Sequence, residues 1–190
     1  MRIVDQAKAV LSENLNAGDW VIDATAGNGH DTLFLKQCVG EEGKVWAFDV
    51  QAQALEQTKL KLTEAGLEAG TEYIHAGHEH LLEKIPEAAQ GKIAAIMFNL
   101  GYLPGGDKAL ITQTETTLNA LNQSLEVLAP GGILSIILYP GHPGGSEEAE
   151  AVIRWGESLA KGVTFEHKKP EEIRAKRSPE LVLVYKPKNI

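Results

Sequence analysis

Seven short apolar runs with β character alternate with longer stretches of helical period, and this alternation narrows the fold more than any other feature of the chain. The strand candidates are WVIDA (20–24), KVWAFDV (44–50), TEYIHA (71–76), IAAIMFNL (93–100), GGILSIIL (131–138), VTFEHK (163–168) and ELVLVYK (180–186). Helical patterns such as DTLFLKQCV, QAQALEQTKLKLTEAG, TTLNALNQSLEVLA and SEEAEAVIRWGESLAK lie between them, with Gly66, Gly162 and Pro130-Gly131 as stop signals. Near-continuous apolar strands separated by helices predict a parallel sheet covered on both faces. The linker KPEEIRAKRSP leaves no room for a crossover helix, so the last strand is expected to run antiparallel. The expected fold is α/β: a Rossmann-like, doubly wound, mostly parallel seven-stranded sheet in one domain over residues 1–190.

Composition excludes several classes. No apolar run approaches the ~20 residues of a membrane-spanning helix, and the first residues lack the apolar block of a secretory signal. The single cysteine, Cys38, rules out an intramolecular disulfide framework and fits a reducing cytoplasm. Its place in LFLKQCV predicts a buried, inert thiol. A net charge of −8 argues against a protein built only to coat nucleic acid. Charge is uneven, however: Lys168 to Lys188 holds seven basic residues against three acids, so Arg174, Lys176 and Arg177 are candidate RNA contacts.

In doubly wound sheets, ligands sit outside the C-terminal strand ends. The first such end reads VIDATAGNGHDTLFL. Gly27 and Gly29 permit a tight turn and close backbone approach, and the helix behind them offers free N–H groups. Asp49 lies 20 residues beyond Gly29, the spacing of an acid that takes ribose hydroxyls. A dinucleotide fingerprint needs a small third residue where this chain has Thr32, and Asp31 would repel a pyrophosphate. The same Asp31 suits a ligand with a cationic end, such as S-adenosylmethionine. Asp23 is either a ligand contact or the residue that holds the glycine loop. No G-x-x-x-x-G-K-[ST] loop occurs. His78-Glu79-His80 has no third His or Cys cluster beside it, so no metal is expected.

With these residues in view, IDATAGNGHDTLFL followed by FDVQ resembles the first two motifs of class I S-adenosylmethionine-dependent methyltransferases. Together with GHEHL, FNLGYLPGGDK and TETT, the chain resembles a small bacterial family long described as rRNA methylases. Members of that family are understood to methylate 5-aminomethyl-2-thiouridine at the tRNA wobble position. The resemblance implies that Asn28 and Asp31 line the methionine end of the cofactor. It further implies that Asp49 and Gln51 serve the ribose, and that His78 and Glu79 lie near adenine. Asn99-Leu-Gly-Tyr102 is similar to the Asn-Pro-Pro-Tyr segment of amino-group methyltransferases, without its prolines. Cys38 lies away from strand four, which favours a heteroatom acceptor over a ring carbon.

Direct transfer to a neutral amine is the expected mechanism. Asn99 would hold the amine, Tyr102 and Tyr139 would wall or hydrogen-bond the base, and His142 is a general-base candidate. Asp107 and Lys108 are candidate substrate contacts in the glycine-rich LPGGDK. The expected partners are tRNA and, as an option, a second copy of the chain in a homodimer. Methylation of rRNA or of a small-molecule amine stays open, as does a nicotinamide-binding or non-catalytic module.

Overall fold

The computed structural model describes residues 1–101, 112–170 and 178–188. The seven strands are β1 (Trp20–Asp23), β2 (Lys44–Asp49), β3 (Thr71–His75), β4 (Ile93–Asn99), β5 (Leu128–Leu138), β6 (Thr164–Lys168) and β7 (Glu180–Tyr185). The helices are α1 (Ile3–Asn14), α2 (His30–Val39), α3 (Ala52–Glu64), the single turn α4 (Leu81–Lys84), α5 (Thr114–Val127) and α6 (Gly145–Glu157). The strands form one sheet in the order β3-β2-β1-β4-β5-β7-β6. Pairing is parallel from β3 to β5, and β7 runs antiparallel to both β5 and β6.

Period-two alternation sends successive side chains to opposite faces. Val21, Val45, Ala95 and Met97 point to one face, where they meet Ile3, Ala7 and Leu11 of α1 and Leu35 and Val39 of α2. Ile22, Trp46, Ile96 and Phe98 point to the other, against Leu81, Ala120, Leu121, Ala149 and Val152. Each fully buried Val, Leu, Ile or Phe is worth roughly 1.5–3 kcal/mol of transfer free energy. Two such layers fix the sheet, and with it the row of strand ends that carries the site.

Three local expectations change. β5 begins at Leu128, three residues before the expected Gly131, and Pro130 lies within it. Proline is tolerated there because the β4–β5 register slips between Ile93 and Ala95. Gly131, at φ +79°, takes over the pairing by donating its N–H to Lys186 O at 3.0 Å. Cys38 is half-buried rather than buried. The inward stripe of α2 is Asp31, Thr32, Leu35, Lys36 and Val39, and position 38 lies ~100° off Val39 around the helix. Partial burial still pushes its thiol up, towards inertness. The third is α1, an amphipathic helix that the sequence reading screened only as a leader. It packs on the sheet through Ile3, Ala7 and Leu11.

Candidate active site

The turn after β1 is held from beneath by Asp23. Its Oδ1 accepts from Thr25 N–H at 3.1 Å and its Oδ2 from the Thr32 hydroxyl at 2.6 Å. One carboxylate therefore bridges the two ends of the glycine loop. Asp23 is 1% exposed and Thr32 0%, so both brace the loop from inside rather than face its open side. Thr32 stands where a dinucleotide loop has a small residue because its hydroxyl is the loop's inner anchor. Burial, then the charge of Asp31, then that of Asp49 push the Asp23 carboxyl up to about 7, against the pull of the Thr32 and Thr25 bonds.

Gly27 and Gly29 take φ of +52° and +75°. At Gly29 the requirement is doubled: a Cβ would lie 2.7 Å from Thr58 Cα on α3. Thr58 also donates its hydroxyl to Gly27 O at 3.2 Å. The loop is thus pressed against α3 as well as curled. Asp49, half-buried at the end of β2, accepts Gly27 N–H and Gln51 N–H, both at 2.9 Å. It ties the loop to the start of α3, while each oxygen keeps a second lone pair for another donor.

Asp31, in the first turn of α2 and 7% exposed, faces the end of β4. Its Oδ2 accepts Asn99 Nδ2–H at 3.1 Å, joining the start of α2 to the end of β4 across 68 positions of chain. Its Oδ1 lies 2.9 Å from Lys8 Nζ on α1. Asn99 N–H donates to Thr25 Oγ1 at 2.7 Å, so the same loop seats both partners. An ionised carboxylate only accepts, which orients the Asn99 amide with Nδ2 towards Asp31 and Oδ1 away from it. Tyr139, at the end of β5, is hydrogen-bonded with the Asn99 side chain. Burial and the Asp31 charge nonetheless hold its phenol above the ordinary tyrosine value. His142 lies beside them, its Nδ1 2.9 Å from Pro143 O. Its ring fits between Gly101 and Gly145, where added Cβ atoms would come within 3.6 and 2.9 Å of Nε2. Asn99, Asp31, Tyr139 and His142 therefore converge on the C-terminal end of β4.

His78 does not face outward. It is 7% exposed, lies tilted on Phe98 at 5.4 Å, and bonds the Ala24 backbone, with burial lowering its pKa. A neutral imidazole packed on a phenyl ring is a wall beneath the β3 end. Glu79 folds its carboxylate over Gly77, and its backbone carbonyl accepts Gln123 Nε2–H at 2.6 Å. Asn28, in the loop between Gly27 and Gly29, is half-buried. Among the described residues, no three His, Cys, Asp or Glu side chains gather as a metal site.

Two contributors escape a sequence reading. Lys8 is one. Glu148 is the other: 2% exposed on α6, it accepts the hydroxyls of Thr112 at 2.7 Å and Thr117 at 2.6 Å. Its signal is an acid within a buried stripe of Gly145, Ala149 and Val152. Thr112 N–H also reaches back to Gly101 O at 2.9 Å. The basic C-terminal stretch is less free than its composition suggests. Lys186 donates to Leu125 O and Leu128 O at 2.8 and 2.6 Å, capping α5, and Lys168 pairs with Glu166 at 3.2 Å. Tyr102, Asp107, Lys108, Arg174, Lys176 and Arg177 lie outside the described residues.

A seven-stranded sheet of this order, with an antiparallel seventh strand, a glycine loop after β1 and an acid ending β2, has the class I methyltransferase fold. Structures as distant as an O-methyltransferase from Thermotoga maritima share it, with a TM-score of 0.66 at 16% identity. The family model described as "Putative rRNA methylase" matches residues 45–186, and the chain belongs to that family. A Clostridium thermocellum structure of the same description is 35% identical, covers 98% of both chains and has a TM-score of 0.92. A Streptococcus mutans methyltransferase structure in complex with SAH is 36% identical, again over 98% of both, with a TM-score of 0.84. An Arabidopsis thaliana chloroplastic tRNA (mnm(5)s(2)U34)-methyltransferase is 41% identical over 166 residues, 83% of this chain. The chain spans 60% of that relative's length.

Proposed function

We propose that the protein transfers a methyl group from S-adenosylmethionine to the amine of 5-aminomethyl-2-thiouridine at the wobble position of tRNA. The observation that carries this reading is the Asp31–Asn99–Tyr139 cluster at the end of β4, in a chain 41% identical to the Arabidopsis enzyme. The residues present fit the cofactor. Asp31, at the start of α2, favours a cationic ligand end over a pyrophosphate. Asp49 keeps lone pairs for ribose hydroxyls, with Gln51 beside it. Gly27, Asn28 and Gly29 form the backbone floor, Asp23 and Thr32 shape it from beneath, and His78 and Glu79 close the adenine end.

S-adenosylmethionine supplies the methyl group, whose carbon–sulfur bond breaks as the amine nitrogen forms the new carbon–nitrogen bond, the electron pair staying on sulfur. The chain's own part is to present a neutral amine. An alkylammonium, with a pKa near ~10, has no lone pair with which to attack. Asn99 Oδ1, turned from Asp31, accepts an amine N–H and aims the lone pair. Tyr139, kept as a neutral phenol, holds Asn99 through the hydrogen bond between their side chains. His142 takes the proton in this reading. Cys38, half-buried on α2 with its thiol pushed up, is unsuited to add to a pyrimidine ring, which favours the exocyclic amine. Tyr102, Asp107 and Lys108 belong to the acceptor segment, and Arg174, Lys176 and Arg177 to the tRNA grip. A homodimer in the cytoplasm completes the proposal, widening the RNA platform beyond one small domain.

The test is direct. Undermodified tRNA, S-adenosylmethionine and the protein should yield the methylated wobble nucleoside, read by mass spectrometry of digested tRNA. The family description favours one second reading, an rRNA acceptor. Methylation of rRNA with tRNA untouched would replace the proposal with that reading.

A further inference from the structure

Glu148 carries a carboxylate where the inward stripe of α6 otherwise holds Gly145, Ala149 and Val152, and it is 2% exposed. Burying an acid costs stability unless its oxygens are bonded. Here the two oxygens serve different parts of the chain. Oε1 accepts the hydroxyl of Thr117, itself 0% exposed in the first turn of α5, at 2.6 Å. Oε2 accepts the hydroxyl of Thr112 at 2.7 Å, and Thr112 N–H donates to Gly101 O at 2.9 Å, two residues beyond Asn99. The open side of Gly101 faces the His142 ring, where an added Cβ would come within 3.6 Å of Nε2. His142 O accepts Gly145 N–H at 2.9 Å, and Glu148 N–H donates to Gly144 O at 3.0 Å. These contacts close a circuit from Glu148 through Thr112, Gly101 and His142 back to the first turn of α6.

We propose that Glu148 is a positioning residue for methyl transfer: through Thr112 it holds Gly101 against the His142 ring, and so keeps that ring at the amine presented by Asn99. This rests on the methyl-transfer reading above. The groups concerned come from two strand ends. Asn99 ends β4 and Gly101 follows it, whereas Tyr139 and His142 follow β5. The sheet aligns the two only as far as Asn99 beside Ile137 and the bond from Leu100 N–H to Ile137 O at 2.9 Å. Beyond that bond the link from Gly101 to α6 runs through Thr112 and Glu148. Gly101 and Gly145 have no side chains with which to grip the ring between them, so their backbones must themselves be held. Thr117 provides the fixed arm, on a helix packed into the core, and Thr112 the arm that reaches the site. Proton transfer and attack both depend on placement, and a shift of about 1 Å is enough to cost on the order of 100-fold in rate.

The test separates the two arms. Thr112→Val removes the hydroxyl bonded to Oε2 and Thr117→Val the one bonded to Oε1, each at nearly unchanged size. With undermodified tRNA and S-adenosylmethionine as substrates, Thr112→Val should lower kcat about tenfold or more. The KM for tRNA and the affinity for S-adenosylhomocysteine, read by calorimetry, should hold. Thr117→Val should lower the thermal midpoint and leave kcat unchanged. Glu148→Gln keeps one acceptor and offers an N–H to the other hydroxyl, so it should recover the turnover that Glu148→Leu loses. Full kcat in Thr112→Val, or matching losses of kcat and thermal midpoint in both threonine variants, would overturn the assignment and leave Glu148 a packing residue. A wild-type protein that left tRNA unmethylated would overturn the proposed function and this assignment with it, whereas an active wild type with an active Thr112→Val overturns the assignment alone.

Discussion

Replacing Asp23 with asparagine should flatten part of the protein's stability–pH profile. Asp23 is 1% exposed and its carboxyl is pushed up to about 7 by burial and by Asp31. In the unfolded chain an aspartate titrates near ~3.9. A carboxyl that keeps its proton longer in the folded state stabilises that state most at low pH. Its contribution is complete below about pH 4, declines as pH rises towards 7, and levels off once both states are ionised. One pKa unit corresponds to about 1.4 kcal/mol, so wild type should lose roughly 2–3 kcal/mol through this group between pH 5 and 8. Asparagine keeps the local geometry: Oδ1 can accept Thr25 N–H, and the Thr32 hydroxyl can turn to accept from Nδ2. Asp23→Asn removes the titration without emptying the site. The assay is urea unfolding of the ligand-free protein at pH 5, 6, 7 and 8, comparing variant and wild type at each. The variant should gain on wild type as pH rises, by about 2–3 kcal/mol over the range. A difference independent of pH would refute the argument, since Asp23 would then titrate alike in both states.

Three further outcomes follow from distances already given. Gly29→Ala should destabilise by about 2 kcal/mol or more, since it adds strain at φ +75° to a 2.7 Å encounter with Thr58 Cα; a thermal melt with an unchanged midpoint would remove that requirement. Asp49→Ala should lower affinity for S-adenosylhomocysteine at least about tenfold by taking a charged acceptor from the ribose site and freeing the loop at Gly27; calorimetry checks this. Asn99→Ala should reduce kcat about a hundredfold or more with little change in cofactor affinity, and an equal loss of both would make it a cofactor residue.

The strand count, the antiparallel last strand and the glycine loop were legible because period-two and period-3.6 patterns are local. Residues 20–23 declare themselves within their own stretch. Pairings across the chain do not. Asp31 suggested a cationic ligand, but nothing near it indicated that Asn99 would be its hydrogen-bond partner, since only the sheet order brings β1 beside β4. Lys8 drew no reading from the sequence, because its significance depends on where α1 docks. Lys186 was counted as a free basic residue, yet its ammonium closes the end of α5. In each case contact with an element distant in sequence decided the role of the side chain. Glu148 was missed although its stretch, SEEAEAVIRWGES, carries a local signal: an acid inside a buried helical stripe, where charge and periodicity disagree.

The hydrogen bond from Thr112 N–H to Gly101 O has an evolutionary consequence. The chain leaves the sheet after β4 and returns for α5 at nearly the same point, with ten residues between. Glu148 then anchors the returning strand of chain to α6 through Thr112 and Thr117. Both ends of the intervening segment are thus fixed at one clasp. For a loop closed at its base, doubling the length costs only about 0.6 kcal/mol of closure entropy. Length changes between positions 101 and 112 should therefore leave the sheet and the glycine loop in place, so that, on the proposed function, relatives of one fold can vary the acceptor segment without rebuilding the rest.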